Sequence, residues 1–169
     1  MNRDDLILVD TNVIIEAHRV SILNEMMGCL NLATVDMCII ETQTGAQNRD
    51  PKFTIDEMLL REKMKIYSPG DEQILLASMQ YSGIADVDDG ERHLLTQASL
   101  LLGAEVWFLS SPDRHPMRLA IEYGWRDHLV SLEQVYRLAN ASRKVTLRDN
   151  FTETWHQRVC AEFVLNVRR

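Results

Sequence analysis

The chain is short of cysteine, of long apolar runs and of positive charge, and each shortage argues against a class of protein. Its three cysteines, Cys29, Cys38 and Cys160, are odd in number and far apart, and none forms a C-x-x-C pair. Neither a disulfide framework nor a thiolate zinc site is suggested. No apolar stretch approaches the ~20 residues of a membrane-spanning helix. The start, Met-Asn-Arg-Asp-Asp, lacks the charged, apolar and small-residue regions of a signal peptide. The expectation is a cytoplasmic protein with no membrane partner. The five histidines, His18, His93, His115, His128 and His156, show no H-E-x-x-H or other paired metal spacing. No internal repeat or low-complexity stretch is visible.

What is present is an ordinary globular composition. With 169 residues, 46% hydrophobic and 25% charged, the chain is expected to form one domain over 1–169 with a sizeable core. The net charge of −7 argues against a generic nucleic-acid coat protein. Charge is uneven: residues 140–169 carry +3 and the first 139 carry −10. The basic tail reads as a solvated terminal helix or as a surface for a partner.

Leu6-Ile7-Leu8-Val9 is apolar without alternation, which reads as a strand buried on both faces. It ends in Asp10-Thr11-Asn12, and a helix from Val13 to Met27 follows, ended by Gly28. Leu32–Val35, Lys65–Tyr67, Glu105–Leu109 and a short His128–Val130 are further strands. Helices are expected from Cys38, over Asp56–Met64, Asp71–Gln80, Arg92–Leu102, Met117–Tyr123, Leu132–Asn140 and Phe151–Val167. Gln43–Ile55 reads as a polar loop, and Lys144–Arg148 as a hairpin-like or extended piece. Strands alternating with helices favour an α/β fold, a parallel sheet covered on both faces.

Acidic residues recur at strand ends. Asp10 ends the first strand, Glu41 lies just beyond the second, Asp88, Asp89 and Glu91 open the helix before the fourth, and Asp113 follows the fourth. A parallel sheet brings such ends to one rim, where open α/β sheets place their ligands. Clustered carboxylates repel one another unless a cation holds them. Hard oxygen ligands suit Mg²⁺ or Mn²⁺, which can activate water and stabilise the leaving oxygen of a phosphodiester. Each acid also has a plainer reading. Asp10 or Asn12 caps the next helix. Asp88-x-x-Glu91 is a capping box. Asp113 is a first-turn acid favoured by the helix dipole, and Glu41 an exposed helix residue.

Val9-Asp10-Thr11-Asn12-Val13-Ile14-Ile15 resembles the opening motif of PIN-domain nucleases, a family that includes the VapC toxins of toxin–antitoxin pairs. Ile39-Ile40-Glu41-Thr42 resembles the second motif, Asp89-Gly90-Glu91-Arg92-His93-Leu94-Leu95 the third, and Ser110-Ser111-Pro112-Asp113 the fourth. The resemblance covers roughly residues 6–139 and leaves 140–169 as a C-terminal extension. It implies a three-layer α/β/α domain with strand order 3-2-1-4-5 and Mg²⁺- or Mn²⁺-dependent cleavage of RNA. Asp10, Glu41, Glu91 and Asp113 would hold metal and water, with Asp89 as a further metal candidate beside Glu91. Asn12 would orient a carboxylate or water, and Ser111 would support the site. The resemblance also brings a homodimer and an antitoxin or other protein partner as expectations. Pro112 and Pro116 depart from the fourth motif, where members often carry another acid, and the Gln43–Ile55 loop exceeds the compact toxin pattern.

Other residues have two readings. Arg92, Arg114 and Arg118 suit phosphate contacts or salt bridges to nearby acids. Arg49 and Lys52 lie on the polar loop and could close over RNA. His93 and His115 lie near the rim, as phosphate contacts or ordinary surface residues. Trp107 and Phe108 are expected in the core, and Trp125 and Trp155 to pack rather than stack on bases. Among rival functions, a haloacid-dehalogenase-type phosphatase needs a second aspartate where Asn12 stands. A receiver domain needs an acid pair at the first strand's end and a lysine after the last, and both are missing. A catalytically idle PIN-like module acting through protein partners is the remaining alternative.

Overall fold

A computed structural model describes residues 1–44, 54–139 and 144–167. The expected Gln43–Ile55 loop falls largely outside them, and Arg49 and Lys52 entirely so. The chain runs β1 (Leu6–Val9), α1 (Thr11–Arg19), α2 (Leu23–Cys29), β2 (Leu32–Val35), α3 (Asp36–Thr44), α4 (Glu57–Lys63), β3 (Lys65–Tyr67) and α5 (Asp71–Gln80). It continues with α6 (Asp89–Leu100), β4 (Trp107–Ser110), α7 (Arg114–Glu122), α8 (Leu132–Leu138) and α9 (Glu153–Val167).

The four strands form one parallel sheet in the order β3-β2-β1-β4. Leu6, Ile7, Leu8 and Val9 are all at most 1% exposed, as a central strand covered on both faces requires. Their side chains alternate between two cores. Leu6 and Leu8 join Ala33, Val35, Trp107 and Leu109 against residues of α5, α6, α7 and α9. Ile7 and Val9 join Leu32 against residues of α1, α2, α4 and α8. Each such side chain contributes roughly 1.5–3 kcal/mol by leaving water. The result is a helix–sheet–helix sandwich. α3 belongs to neither outer layer: it starts at the end of β2 and sends Cys38 into one core and Ile39 into the other.

Three expectations are corrected. The fifth strand shrinks to a single parallel bridge, Leu109 to Leu129, with the Val130 amide donating to the Leu109 carbonyl at 3.0 Å. A 3₁₀ turn over Arg126–His128 uses up the chain that a longer strand would need. The first helix is broken in two between Arg19 and Leu23, where Ser21 adopts φ 61°, a left-handed conformation that no helix continues through. Gly28 lies inside α2 rather than ending it. Of the two alternatives for Lys144–Arg148 the structure shows the extended one, irregular chain laid along α1.

The described part of the tail, residues 144–167, is part of the folded body. Val159 and Cys160 of α9 are buried in the core beside α7, and Arg114 of α7 pairs with Glu162 at 2.7 Å. No helix among the described residues is long and apolar enough to cross a membrane.

Candidate functional site

Because all four strands run the same way, their carboxyl ends share one rim. Asp10 follows β1, Ser111 and Asp113 follow β4, and α3 starts where β2 stops. Asp10 stands at the position that caps α1, but its side chain makes no cap bond. Its Oδ2 instead accepts from the Ser111 hydroxyl at 2.8 Å. Asp10 is 4% exposed. Burial above all pushes its carboxyl up to about 7; the Ser111 hydrogen bond opposes this, and the charges of Asp113 and Glu41 add to it.

Asp113 repeats the pattern at the start of α7. It too occupies the capping position with no side-chain cap bond. Its Oδ2 accepts from Asn12 Nδ2 at 2.8 Å, and its backbone amide donates to Ser111 Oγ at 3.3 Å. Asn12 and Ser111 therefore each hold one of the two acids by a hydrogen bond.

Glu91 is half-buried in the first turn of α6. Asp88 caps this helix by accepting from the Glu91 amide at 3.1 Å. The reciprocal half of a capping box is missing, since the Glu91 carboxylate has no hydrogen-bond partner among the described residues. Burial first, and then the charges of Asp88, Asp10, Asp113 and Glu41, together raise its carboxyl to about 8. The capping reading thus holds for Asp88 and fails for Asp10 and Glu91, while Asp113 stands at the start of α7, where the helix dipole favours an acid.

Glu41 is half-buried and fully engaged. Its Oε2 accepts from the Thr11 hydroxyl at 2.5 Å and its Oε1 from the Gly90 amide at 3.0 Å. Asp89 stands apart from this group. It is exposed and ion-paired with Arg92 at 2.5 Å. The structure thus brings together Asp10, Asn12, Glu41, Glu91, Ser111 and Asp113 and leaves Asp89 on the surface. The charges that act most strongly on Asp10 and Glu91 are other carboxylates.

No protein-family model matches the chain, and no curated protein matches it. The site therefore has to be judged on its own chemistry. A set of carboxylate oxygens is the donor type that Mg²⁺ and Mn²⁺ prefer. As the side chains stand, their oxygens face Ser111, Asn12, Thr11 and Gly90, and among the described residues no three His, Cys, Asp or Glu side chains close on a single point that could hold an ion. The donor chemistry fits a hard divalent ion, and holding one requires the side chains to close together.

The arginines near the rim are engaged in ion pairs. Arg92 binds Asp89 and the Val87 carbonyl, Arg114 binds Glu162, and Arg118 lies 3.8 Å from Glu122. His93 and His115 are half-buried, and His93 Nδ1 is buried without a partner among the described residues. Trp107 is fully buried and Phe108 half-buried on β4. Trp125 packs against Tyr81, Tyr123 and Trp107, and Trp155 against the same core. None of them is presented for base stacking.

Three contributors escaped the sequence reading: Thr11, Gly90 and Cys38. Thr11 and Gly90 sit inside the quoted motifs, directly after Asp10 and directly before Glu91. A small residue next to each acid was the available signal. Cys38 lies one turn before Glu41 on α3, a spacing that puts both on the same face.

Proposed function

We propose that the protein is a metal-dependent endoribonuclease of PIN type, with its site at the carboxyl rim of the sheet. One observation carries this reading. Four acids from four separate chain segments meet there, and two of them, Asp10 and Glu91, have their carboxyls raised to about 7 and about 8. Gathering like charges in a partly dry place works against folding. Such an arrangement is what a site for a cation and a phosphodiester requires.

Asp10, Glu91 and Asp113 would hold Mg²⁺ or Mn²⁺. A bound divalent ion supplies a lowered pKa for water and stabilisation of charge on the phosphate oxygens. The chain's own residues do the rest. Ser111 fixes the Asp10 carboxylate with its hydroxyl, and Asn12 fixes that of Asp113 with its amide. Glu91, with no competing hydrogen bond among the described residues, can turn toward an incoming ligand or take up a proton. At neutral pH Asp10 and Glu91 are partly protonated, so a cation competes with protons and binds more tightly as pH rises from 6 to 8. Calorimetric titration with Mn²⁺ across that range reads this directly.

The deciding experiment is cleavage of labelled single-stranded and structured RNAs with Mn²⁺, Mg²⁺ or EDTA, by wild type and Asp10→Asn purified in parallel. The reading expects metal-dependent cutting that falls to background in Asp10→Asn, with an unchanged circular dichroism spectrum. Equal cutting by both proteins places the activity elsewhere. No cutting by either, together with no Mn²⁺ heat, favours the idle protein-interaction module.

A further inference from the structure

Glu41 is the one rim acid whose two carboxylate oxygens are both held by donors from other parts of the chain. Thr11, which donates to Oε2, directly follows Asp10. Gly90, which donates to Oε1, directly precedes Glu91. A single side chain from α3 is thus tied to the immediate neighbours of two other acids, on α1 and on α6. Gly90 is itself gripped twice, because Cys38 on the same face of α3 approaches the Gly90 carbonyl, Sγ to O, at 3.8 Å.

The fit depends on glycine. A Cβ built at Gly90 would collide with both oxygens and the carboxyl carbon of Glu41. Gly90 has no positive φ, so its requirement here is space, not backbone conformation. The Gly90 amide belongs to the first turn of α6, where amides lack intrahelical partners. Asp88 takes the Glu91 amide, and Glu41 takes the Gly90 amide from outside the helix.

We propose that Glu41 is a positioning residue, a bracket that sets the spacing of Asp10 and Glu91, and not itself an ion ligand. This rests on the reading of the rim as a divalent-ion site. The bracket holds through Thr11 and Gly90, so it breaks when either contact is lost even though every carboxylate is kept.

Thr11→Val is the informative variant, since it is isosteric and removes only the hydroxyl; Thr11→Ser restores it. Mn²⁺ titration calorimetry is expected to show about 10-fold weaker binding for Thr11→Val, the usual size of an effect behind the ligands, and wild-type binding for Thr11→Ser. A Glu41 that is a ligand in its own right would be released by Thr11→Val and would bind Mn²⁺ as well or better; that result overturns the proposal. The second readout needs no metal. Hydrogen exchange of the Gly90 amide should accelerate in Thr11→Val and more in Glu41→Ala, while the Glu91 amide capped by Asp88 stays protected. If wild type binds no Mn²⁺, the divalent-ion reading of the rim falls, and Gly90 exchange alone decides whether the bracket exists: unchanged protection in Thr11→Val and Glu41→Ala overturns it.

Discussion

Asp10 and Glu16 lie roughly one and a half turns of helix apart, at the start and in the middle of α1, and both are almost completely buried, at 4% and 0% exposure. Their surroundings are opposite. Glu16 accepts from Arg19 Nε and Nη2 at 2.7 and 2.6 Å and from the Arg148 amide at 2.8 Å. Burial pushes its carboxyl up, but these bonds and the two arginine charges outweigh it and hold the group below its ordinary value. Asp10 is buried with the Ser111 hydroxyl and the Thr11 backbone set against the charges of Asp113 and Glu41, and its carboxyl rises to about 7. Burial alone therefore does not tell a structural acid from a functional one. The sign of the neighbouring charges does. Glu16 ties the Lys144–Arg148 segment to α1, with Arg19 also donating to the Thr146 carbonyl at 3.1 Å, whereas the charges acting on Asp10 are those of Asp113 and Glu41.

The comparison predicts mutational effects of opposite sign. Asp10→Asn should stabilise the protein at pH 8, by at most about 4 kcal/mol if each pKa unit counts for about 1.4 kcal/mol. Glu16→Ala should destabilise it by about 3 kcal/mol, because Arg19 and the Arg148 amide lose their acceptor. Urea denaturation of the three proteins at pH 8 measures both. A destabilised Asp10→Asn would make Asp10 a second Glu16 and remove the contrast.

The pH dependence follows from the same pair, with the signs worked separately. Asp10 has a folded pKa raised from 3.8 to about 7. Its favourable contribution is complete below 3.8 and is lost as pH rises to about 7. Glu16 has a lowered folded pKa, so its contribution is present above the ordinary 4.5 and is lost as pH falls below it. Thermal melts should therefore show wild type losing stability between pH 5 and 8. Asp10→Asn should lose less over that range, the remainder coming from Glu91, whose carboxyl is also raised. Glu16→Ala should lack the decline at the acid end. Ser111→Ala sharpens the contrast further. It removes the side-chain hydrogen bond that lowers the Asp10 carboxyl, leaving the weaker effect of the Thr11 backbone, so the decline should extend to higher pH.

The sheet was legible because its signals are strong and local. Four apolar residues before Asp10 and a second apolar run before Ser110 mark the neighbouring strands β1 and β4, and the alternation of strands with helices implies a parallel arrangement. The fifth strand failed because Leu129-Val130 is too short to decide between a strand and the end of a 3₁₀ turn. The break at Ser21 was hidden because nothing in Val20-Ser21-Ile22 demands a left-handed residue. Within the site, Asp10 and Asp113 were readable as acids at strand ends, whereas Asn12 and Ser111 entered only through the resemblance. Asp89 and Glu91 were not separable in sequence, since only the helix start at Asp89 decides that one faces Arg92 and solvent and the other the rim. Glu16 was invisible as a special residue because its partners include Arg148, far away in the chain.

The smallest predicted effect concerns Arg114, beside the rim. Its guanidinium pairs with Glu162 at 2.7 Å and lies over the Phe163 ring at 5.0 Å, so it joins α7 to α9 across a half-exposed surface. Pairs of this kind contribute about 0–1 kcal/mol, and Arg114→Ala should change stability by no more than that. If the pair is the whole of its role, RNA affinity and its dependence on salt should be unchanged in Arg114→Ala. If the guanidinium leaves Glu162 for a phosphate when RNA arrives, the variant should bind RNA more weakly, with the salt slope shallower by about 1. That second outcome would extend the contrast between the two ends of α1 to α7: an arginine held in reserve by an acid, as Glu16 is held by arginines, yet released to the substrate at the rim where Asp10 has no cation of its own.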